Sequence, residues 1–253
     1  MKKLYNYVGG GNSLAPAHSF EDLFKIFVPG QAARLAFTLA EVLVTLGIIG
    51  VVSAMTVPTL VQNHQRKTYT TSLHKVYNQI SQALMQYQTD RNALNLAEAG
   101  LTNEDAVGGF FKTYFKVIND CGEDFSPCFA SASEYKYLNG KALNPDKRGK
   151  HIVLADGTSI RYEYRSDLRL VLIELFVDIN GVKGPNIAGR DIFALYIYKN
   201  GNIDDYSSDN TTEERLTKEQ RERSFNTVCS GNTNGNWYGC FGKILNDNWE
   251  MNY

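Results

Sequence analysis

One stretch of the sequence, from Phe37 to Val57, is far more apolar than the rest and reads FTLAEVLVTLGIIGVVSAMTV. Glu41 is the only charged residue in these 21 positions. An α-helix of this length extends about 30 Å, the thickness of the hydrocarbon core of a bilayer. The stretch is therefore long enough to span a membrane, and the single carboxylate inside it requires an explanation.

A second pattern begins after Pro58, where residues 62–67 are polar. Beyond them, apolar side chains recur mostly at spacings of three and four, the period of an α-helix with one buried face. These side chains are Leu73, Val76, Tyr77, Ile80, Leu84 and Tyr87. We predict one helix from about Phe37 to about Arg91, apolar on all sides in its first half and packed against a domain in its second half.

The remaining sequence predicts a small mixed domain. Residues 103–118 resume a helical pattern, with Thr102 or Asn103 as the N-cap. Strand-like stretches follow, and Asp-Gly at 156–157 and Asn-Gly at 200–201 suit tight turns with positive φ. The stretches are a hairpin over 152–164 and single strands at 168–177 and 192–198. We expect an antiparallel sheet of three or four strands, and hence an α+β fold. The charged run 211–225 is expected to be a solvated helix or loop.

Residues 1–36 are predicted to be a leader rather than a packed element. They begin with Lys2 and Lys3 and then become rich in Gly, Ser and Pro. The predicted organisation is thus a leader at 1–36, a membrane or assembly helix at 37–58, an amphipathic continuation at 59–91 and a globular head at 92–253. With 43% hydrophobic and 21% charged residues, the composition fits an anchor plus one modest domain.

The residues around Glu41 carry a family resemblance. The order A-F-T-L-A-E at 36–41, followed by an apolar helix, resembles the processing signature of type IV prepilins and type II secretion pseudopilins. The resemblance implies a pilin-like fold, cleavage between Ala36 and Phe37, and N-methylation of Phe37. It also implies a charge pair between Glu41 and the Phe37 ammonium of a neighbouring subunit, and a helix bend at Pro58. The chain departs from the family pattern in its long leader, in the acids Glu21 and Asp22 within it, and in having Ala36 where glycine is commonest.

The same resemblance implies a function, partners and a location. The expected function is that of a structural subunit of a type IV pilus-like or pseudopilus filament, with no enzymatic activity. The expected partners are other pilin-like subunits, a prepilin peptidase and methyltransferase, an inner-membrane assembly platform, and lipid before assembly. The expected location is the bacterial inner membrane, with the head outside the cytoplasm, and then a filament.

Three other interpretations of the apolar stretch remain open. It can be an uncleaved signal anchor, or a secretory signal cut near residues 52–54; neither explains Glu41, since a secretory apolar core normally lacks an acid. The third is a solitary membrane-tethered binding module that never polymerises.

The four cysteines all lie beyond the long helix, at Cys121, Cys128, Cys229 and Cys240. An even number confined to one predicted domain indicates two disulfides formed in an oxidising compartment. Local pairing, Cys121 with Cys128 and Cys229 with Cys240, is favoured among three connectivities. A zinc site is the alternative, although these spacings match metal knuckles poorly.

A glycine-rich segment between two predicted strands collects oxygen ligands at Asp178, Asn180, Asn186 and Asp191. Such segments are usually ordered turns in which Asn and Asp bond the backbone. A calcium ion is the alternative, because carboxylate and amide oxygens are its usual ligands. The segment is not an EF-hand, since its first glycine falls at the wrong position and no glutamate closes it.

The sequence offers little for catalysis or for nucleic-acid binding. Of the four histidines only His151 lies in the predicted head, and we expect it at a strand end. No nucleophile-elbow, zinc-protease or P-loop motif occurs. The net charge of -1 gives no indication of a nucleic-acid partner.

Overall fold

The structure is a computed structural model and describes residues 37–208, 215–230 and 237–253. The predicted leader at 1–36, including Ala36, lies outside the described residues, as does the start of the charged run at 211–214. The chain divides into two compact units, with the boundary after Met55. The described part of the first unit is residues 37–55, and the second unit runs from Thr56 to Tyr253.

The predicted long helix is confirmed as α1, Leu39–Asp90. Within the second unit it buries one face, at Thr70, Leu73, Val76, Ile80, Ala83, Leu84 and Tyr87. The spacing of three and four between these residues places them on one side of the helix, which packs into the main hydrophobic core. The helix ends in a turn at Asn92, whose φ of 49° is one that asparagine tolerates better than most residues.

A six-stranded antiparallel sheet forms the centre of the second unit, with the strands in chain order from one edge to the other. The strands are β1 Val117–Gly122, β2 Lys150–Leu154, β3 Ser159–Tyr164, β4 Val171–Asp178, β5 Ile192–Tyr198 and β6 Ile203–Asp204. The predicted hairpin is confirmed as β2–β3, and Gly157 in its turn has a φ of 88°. The α+β fold class is therefore as expected.

Two details of the prediction were wrong. The sheet has six strands rather than three or four, because β1 pairs with β2 and the two-residue β6 pairs with β5. The second helix, α2, covers only Glu104–Tyr114 instead of reaching Ile118, since the chain from Val117 onward belongs to β1. Its N-cap is Asn103, whose side chain accepts the N–H of Ala106 at 2.8 Å.

The two central strands are covered on both faces. Every residue of β4 and β5 is buried. Ile173, Leu175 and Val177 belong to the core shared with α1, whereas Phe176 belongs to a second core. That second core includes residues of the irregular chain between β1 and β2, such as Phe129 and Tyr135. Strands buried on both sides lose the alternating pattern of a half-exposed sheet.

The C-terminal part contains three short elements, and the first lies within the charged run 211–225 that was expected to form a solvated helix or loop. They are α3 Lys218–Ser224, a π-helical turn Phe225–Cys229 and α4 Cys240–Asn246. The helix α3 begins with a capping box between Thr217 and Gln220. The carboxylate of Asp205 lies at the start of α4 and accepts the N–H groups of Gly239 and Gly242 at 2.8 and 2.6 Å.

The packing of α1 gives a direct test of the fold. Ile80 is fully buried, whereas Met85 on the same helix is 69% exposed. We expect Ile80→Ala to lower the free energy of unfolding by about 2–5 kcal/mol, because it removes core contacts and leaves a cavity. Met85→Ala is the matched control and should change it by less than about 0.5 kcal/mol. Denaturant unfolding of the full chain in detergent measures both, and equal effects would contradict this packing.

Candidate functional sites

The first candidate site is the start of α1, where Thr38 and Glu41 form reciprocal hydrogen bonds. The backbone N–H and the hydroxyl of Thr38 each donate to Oε2 of Glu41 at 2.9 Å. In return, the N–H of Glu41 donates to the Thr38 hydroxyl oxygen at 3.2 Å. This reciprocal arrangement is a capping box, which satisfies amide groups that a helix N-terminus otherwise leaves unpaired.

Thr38 is a functional candidate that the sequence analysis did not single out. Its signal was present, because Thr followed three residues later by Glu is the sequence pattern of a capping box. The geometry gives Glu41 a local role as a helix cap. It does not neutralise the carboxylate, however, since threonine supplies hydrogen bonds and no positive charge.

The apolar part of α1 is exposed along its whole length. Phe37, Leu39 and Met55 are 81%, 78% and 73% exposed, and every residue from 37 to 65 is classed as exposed. One helix among the described residues, α1, is long and apolar enough to cross a membrane by length and composition. Pro58 lies inside this helix, where it removes one backbone N–H from the hydrogen-bond ladder. The bend expected at Pro58 stays a prediction.

The two predicted disulfides are both present. Cys121 pairs with Cys128, and Cys229 pairs with Cys240. None of the described cysteines is free. The second disulfide contacts the β4–β5 connection, because a Cβ added to Gly189 would lie 2.9 Å from the sulfur of Cys240. Zinc coordination by these cysteines is therefore excluded in the oxidised protein.

The second candidate site is the loop 179–191 together with Asp178 at the end of β4. Asp178 and Asp191 are both fully buried, and Asn186 is only 2% exposed. The carboxylate of Asp191 accepts the N–H groups of Asn186 and Ile187 at 2.8 and 2.7 Å. Asp178 accepts the Asn180 N–H at 3.3 Å and the hydroxyl of Tyr135 at 3.3 Å. The structure thus places the backbone N–H groups of Asn180 and Asn186 against the two buried carboxylates.

The two buried acids of this loop both have a raised pKa. Burial, with the neighbouring charge of Asp191 second, raises the pKa of Asp178 to about 8. Burial also raises the pKa of Asp191, although the N–H groups of Ile187 and Asn186 act against that rise. Among the described residues no group of three or more His, Cys, Asp and Glu side chains is placed to hold a metal ion. A metal here would therefore need amide oxygens as well as the two carboxylates.

His151 does not form a catalytic arrangement. It is the second residue of β2 and is fully buried, with Nδ1 3.1 Å from the carbonyl oxygen of Gly122. Its ring packs edge-on against Phe125 and Phe129. Burial lowers the pKa of His151, which favours the neutral ring. These contacts indicate a structural role in the second core.

Comparison of the chain with protein-family models, with curated proteins and with solved structures finds no match.

The capping box predicts a measurable change at the start of α1. Thr38→Val removes the hydroxyl and keeps the side-chain shape, and we expect it to weaken the first helical turn by about 1 kcal/mol. Amide hydrogen exchange of Glu41 and Val42 in detergent should then be about fivefold faster. Thr45→Val is the matched control, because the Thr45 hydroxyl bonds only the Val42 carbonyl oxygen within the helix. Unchanged exchange in Thr38→Val would show that the box does not hold this turn.

Proposed function

We propose that this protein is a structural subunit of a type IV pilus-like or type II secretion pseudopilus filament. In this proposal the leader is removed between Ala36 and Phe37, Phe37 is N-methylated, and the mature chain assembles through the first half of α1. The single observation that carries the proposal is the exposed apolar segment 37–57, whose only charge, Glu41, lies in the first turn of α1.

The exposed apolar side chains in the first half of α1 must be shielded from water by another apolar surface. Leu43, Ile48 and Ile49 are each 60% exposed, and their neighbours along the helix are similar. In water such a surface is unfavourable by roughly 25 cal/mol per Å² of apolar area. A bilayer covers it before assembly, and the matching helices of other subunits cover it in a filament.

Glu41 distinguishes a filament subunit from a simple anchor. An isolated carboxylate within a membrane span costs roughly 2.5–3.5 kcal/mol on insertion scales, and Thr38 offers hydrogen bonds without a compensating charge. Cleavage before Phe37 would create an ammonium four residues from Glu41. In a bundle of parallel subunits, the ammonium of one chain then neutralises the carboxylate of the next. Because a buried charge is tolerated only when it is paired, the pair also fixes the axial register of the subunits.

We infer that the second unit is displayed outside the cytoplasm. Its two disulfides suit an oxidising compartment. We therefore place the precursor in the bacterial inner membrane with this domain outside, and the mature protein in a filament. The partners proposed are other pilin-like subunits, the peptidase and methyltransferase that process Phe37, and the inner-membrane assembly platform.

The alternative function is a solitary membrane-tethered binding module. It shares the anchor and the disulfide-bonded domain, but it gives Glu41 no partner and needs no processing at Phe37. Neighbouring genes for a prepilin peptidase and an assembly ATPase would favour the filament, and their absence would favour the module.

Substitution of Glu41 separates its two roles. Glu41→Gln keeps a side chain able to complete the capping box, since Gln serves as well as Glu at this position, but it removes the charge. Glu41→Ala removes both. We expect both variants to be cleaved and inserted into the membrane, and both to be incorporated into filaments at least about tenfold less well than the wild type, as the loss of one buried charge pair predicts.

The assay compares processed protein, membrane-inserted protein and sheared filament in cells that carry the assembly machinery. Thr45→Ala, in the same helix, is the control and should assemble normally. If Glu41→Gln assembled as well as the wild type, the charge pair would be refuted and only the capping role would remain.

A further inference from the structure

A groove of about 420 Å³ in the second unit lies between one face of α1 and the last residues of the chain. Helix residues at spacings of three and four, which share one face, form one wall: Asn63, Lys67, Thr70 and His74. Trp249 lies on the other wall, and its ring stacks on that of His74 with 4.0 Å between the ring centroids. The volume of the groove falls in the range of small-molecule sites.

Two positive charges without acidic partners line the groove at its end nearer, along α1, to the apolar segment. Arg66 is half-buried there and Lys67 is exposed. Neither forms an ion pair with an acidic side chain in the part of the chain that the structure describes. Lys75, the next lysine of α1, differs because it is bonded to Asp156 at 2.8 Å. The two unpaired cations therefore remain available to a ligand of opposite charge.

The other polar side chains of the groove include one acid. Glu250 is exposed, and its Oε2 lies 3.4 Å from Nδ2 of Asn252. With two basic residues and one acidic residue, and with His74 neutral, the lining has a formal charge of two minus one, or +1. The groove thus combines cations for an anionic group with a carboxylate and an amide that can bond hydroxyl groups.

The position of the cations along the chain points to a membrane surface. A hydrocarbon core that begins at Phe37 ends near Val57, since 21 helical residues cover about 30 Å. Arg66 and Lys67 are the first charged residues beyond that point. Their side chains lean toward the N-terminus of α1, because every side chain of an α-helix does so. Long basic side chains near helix ends reach lipid headgroups in this way, and tryptophan, here Trp249, is enriched at the same interface.

We propose that this groove binds the headgroup of an anionic phospholipid, with its phosphate on Arg66 and Lys67. Arginine binds phosphate through its planar fork, and lysine binds it as a point charge. A phosphatidylglycerol headgroup fits the lining, because it carries one negative charge and hydroxyl groups that Glu250 and Asn252 can bond. A phosphatidylcholine headgroup has no net charge and no donor, so it would leave the positive lining unneutralised.

This inference needs the membrane anchor but neither cleavage before Phe37 nor polymerisation. It applies equally to a filament subunit before assembly and to a solitary membrane-tethered module. A failure to bind lipid would therefore leave the filament proposal untouched, and a failure to form filaments would leave the lipid site untouched.

Native mass spectrometry of the full chain in detergent tests the proposal. The chain is mixed with equal amounts of phosphatidylglycerol and phosphatidylcholine that have the same acyl chains. We expect one phosphatidylglycerol to be retained per chain, in at least about fivefold preference, because each basic residue near a membrane surface attracts anionic lipid by roughly this factor. Inorganic phosphate and glycerol phosphate, added at the concentration of the lipid, should not displace it. Displacement by either would assign the groove to a soluble anion and overturn the lipid assignment.

The decisive variant is the double substitution Arg66→Gln with Lys67→Gln, which keeps polar side chains and removes both charges. We expect it to retain the two lipids about equally. Lys75→Gln is the matched control and should keep the preference, since Lys75 is outside the groove and paired with Asp156.

The exchange Arg66→Lys with Lys67→Arg keeps both charges and should also keep the preference, which separates the loss of charge from a change in packing. The unfolding temperature of each variant shows whether it is folded. The proposal is overturned if the wild type shows no preference for phosphatidylglycerol, or if the double glutamine variant retains the wild-type preference.

Discussion

The lone carboxylate in the apolar half of α1 is the constraint on which the rest of this account depends. An uncharged helix of this length would be an ordinary anchor, and its orientation and neighbours would be free. Glu41 restricts both, because an unpaired carboxylate is unfavourable in lipid. Thr38 gives it hydrogen bonds but no positive charge. The capping box keeps the side chain at the helix start and satisfies part of its hydrogen-bonding capacity. A neighbour with a free ammonium at the same depth would complete the arrangement, and this is why we favour assembly over simple anchoring.

In the second unit, the sheet is covered by a hydrophobic core on each of its two faces. The amphipathic half of α1 and the helix α2 contribute to one core, while the chain between β1 and β2 contributes to the other. The disulfide Cys121–Cys128 and the bonds from Asp205 to the start of α4 fix irregular segments that have few regular hydrogen bonds of their own. Asp178 and Asp191, at the two ends of the β4–β5 loop, are buried, whereas residues 182–185 of the same loop are exposed.

Periodicity and turn chemistry predicted the elements that depend on local sequence. The buried face of α1 and the β2–β3 hairpin are of this kind, because spacing and an Asp-Gly turn specify them within a few residues. The strand β1 was missed, since it is an edge strand with two register irregularities and mostly exposed or half-exposed residues. The role of Asp205 could not be predicted either, because its partners Gly239 and Gly242 are more than 30 residues away in the chain.

The candidate sites show the same division. The sequence identified Glu41 by its charge and the β4–β5 loop by its oxygen ligands, but the burial of Asp178 and Asp191 depends on a second core that no local pattern reveals. The central claim, that the apolar helix is an assembly element processed at its start, is tested most directly by the mass of the mature N-terminal peptide. The account predicts that this peptide begins with N-methylated Phe37. A peptide that begins at Met55, as ordinary signal peptidase would produce, or one that retains the leader, would contradict it.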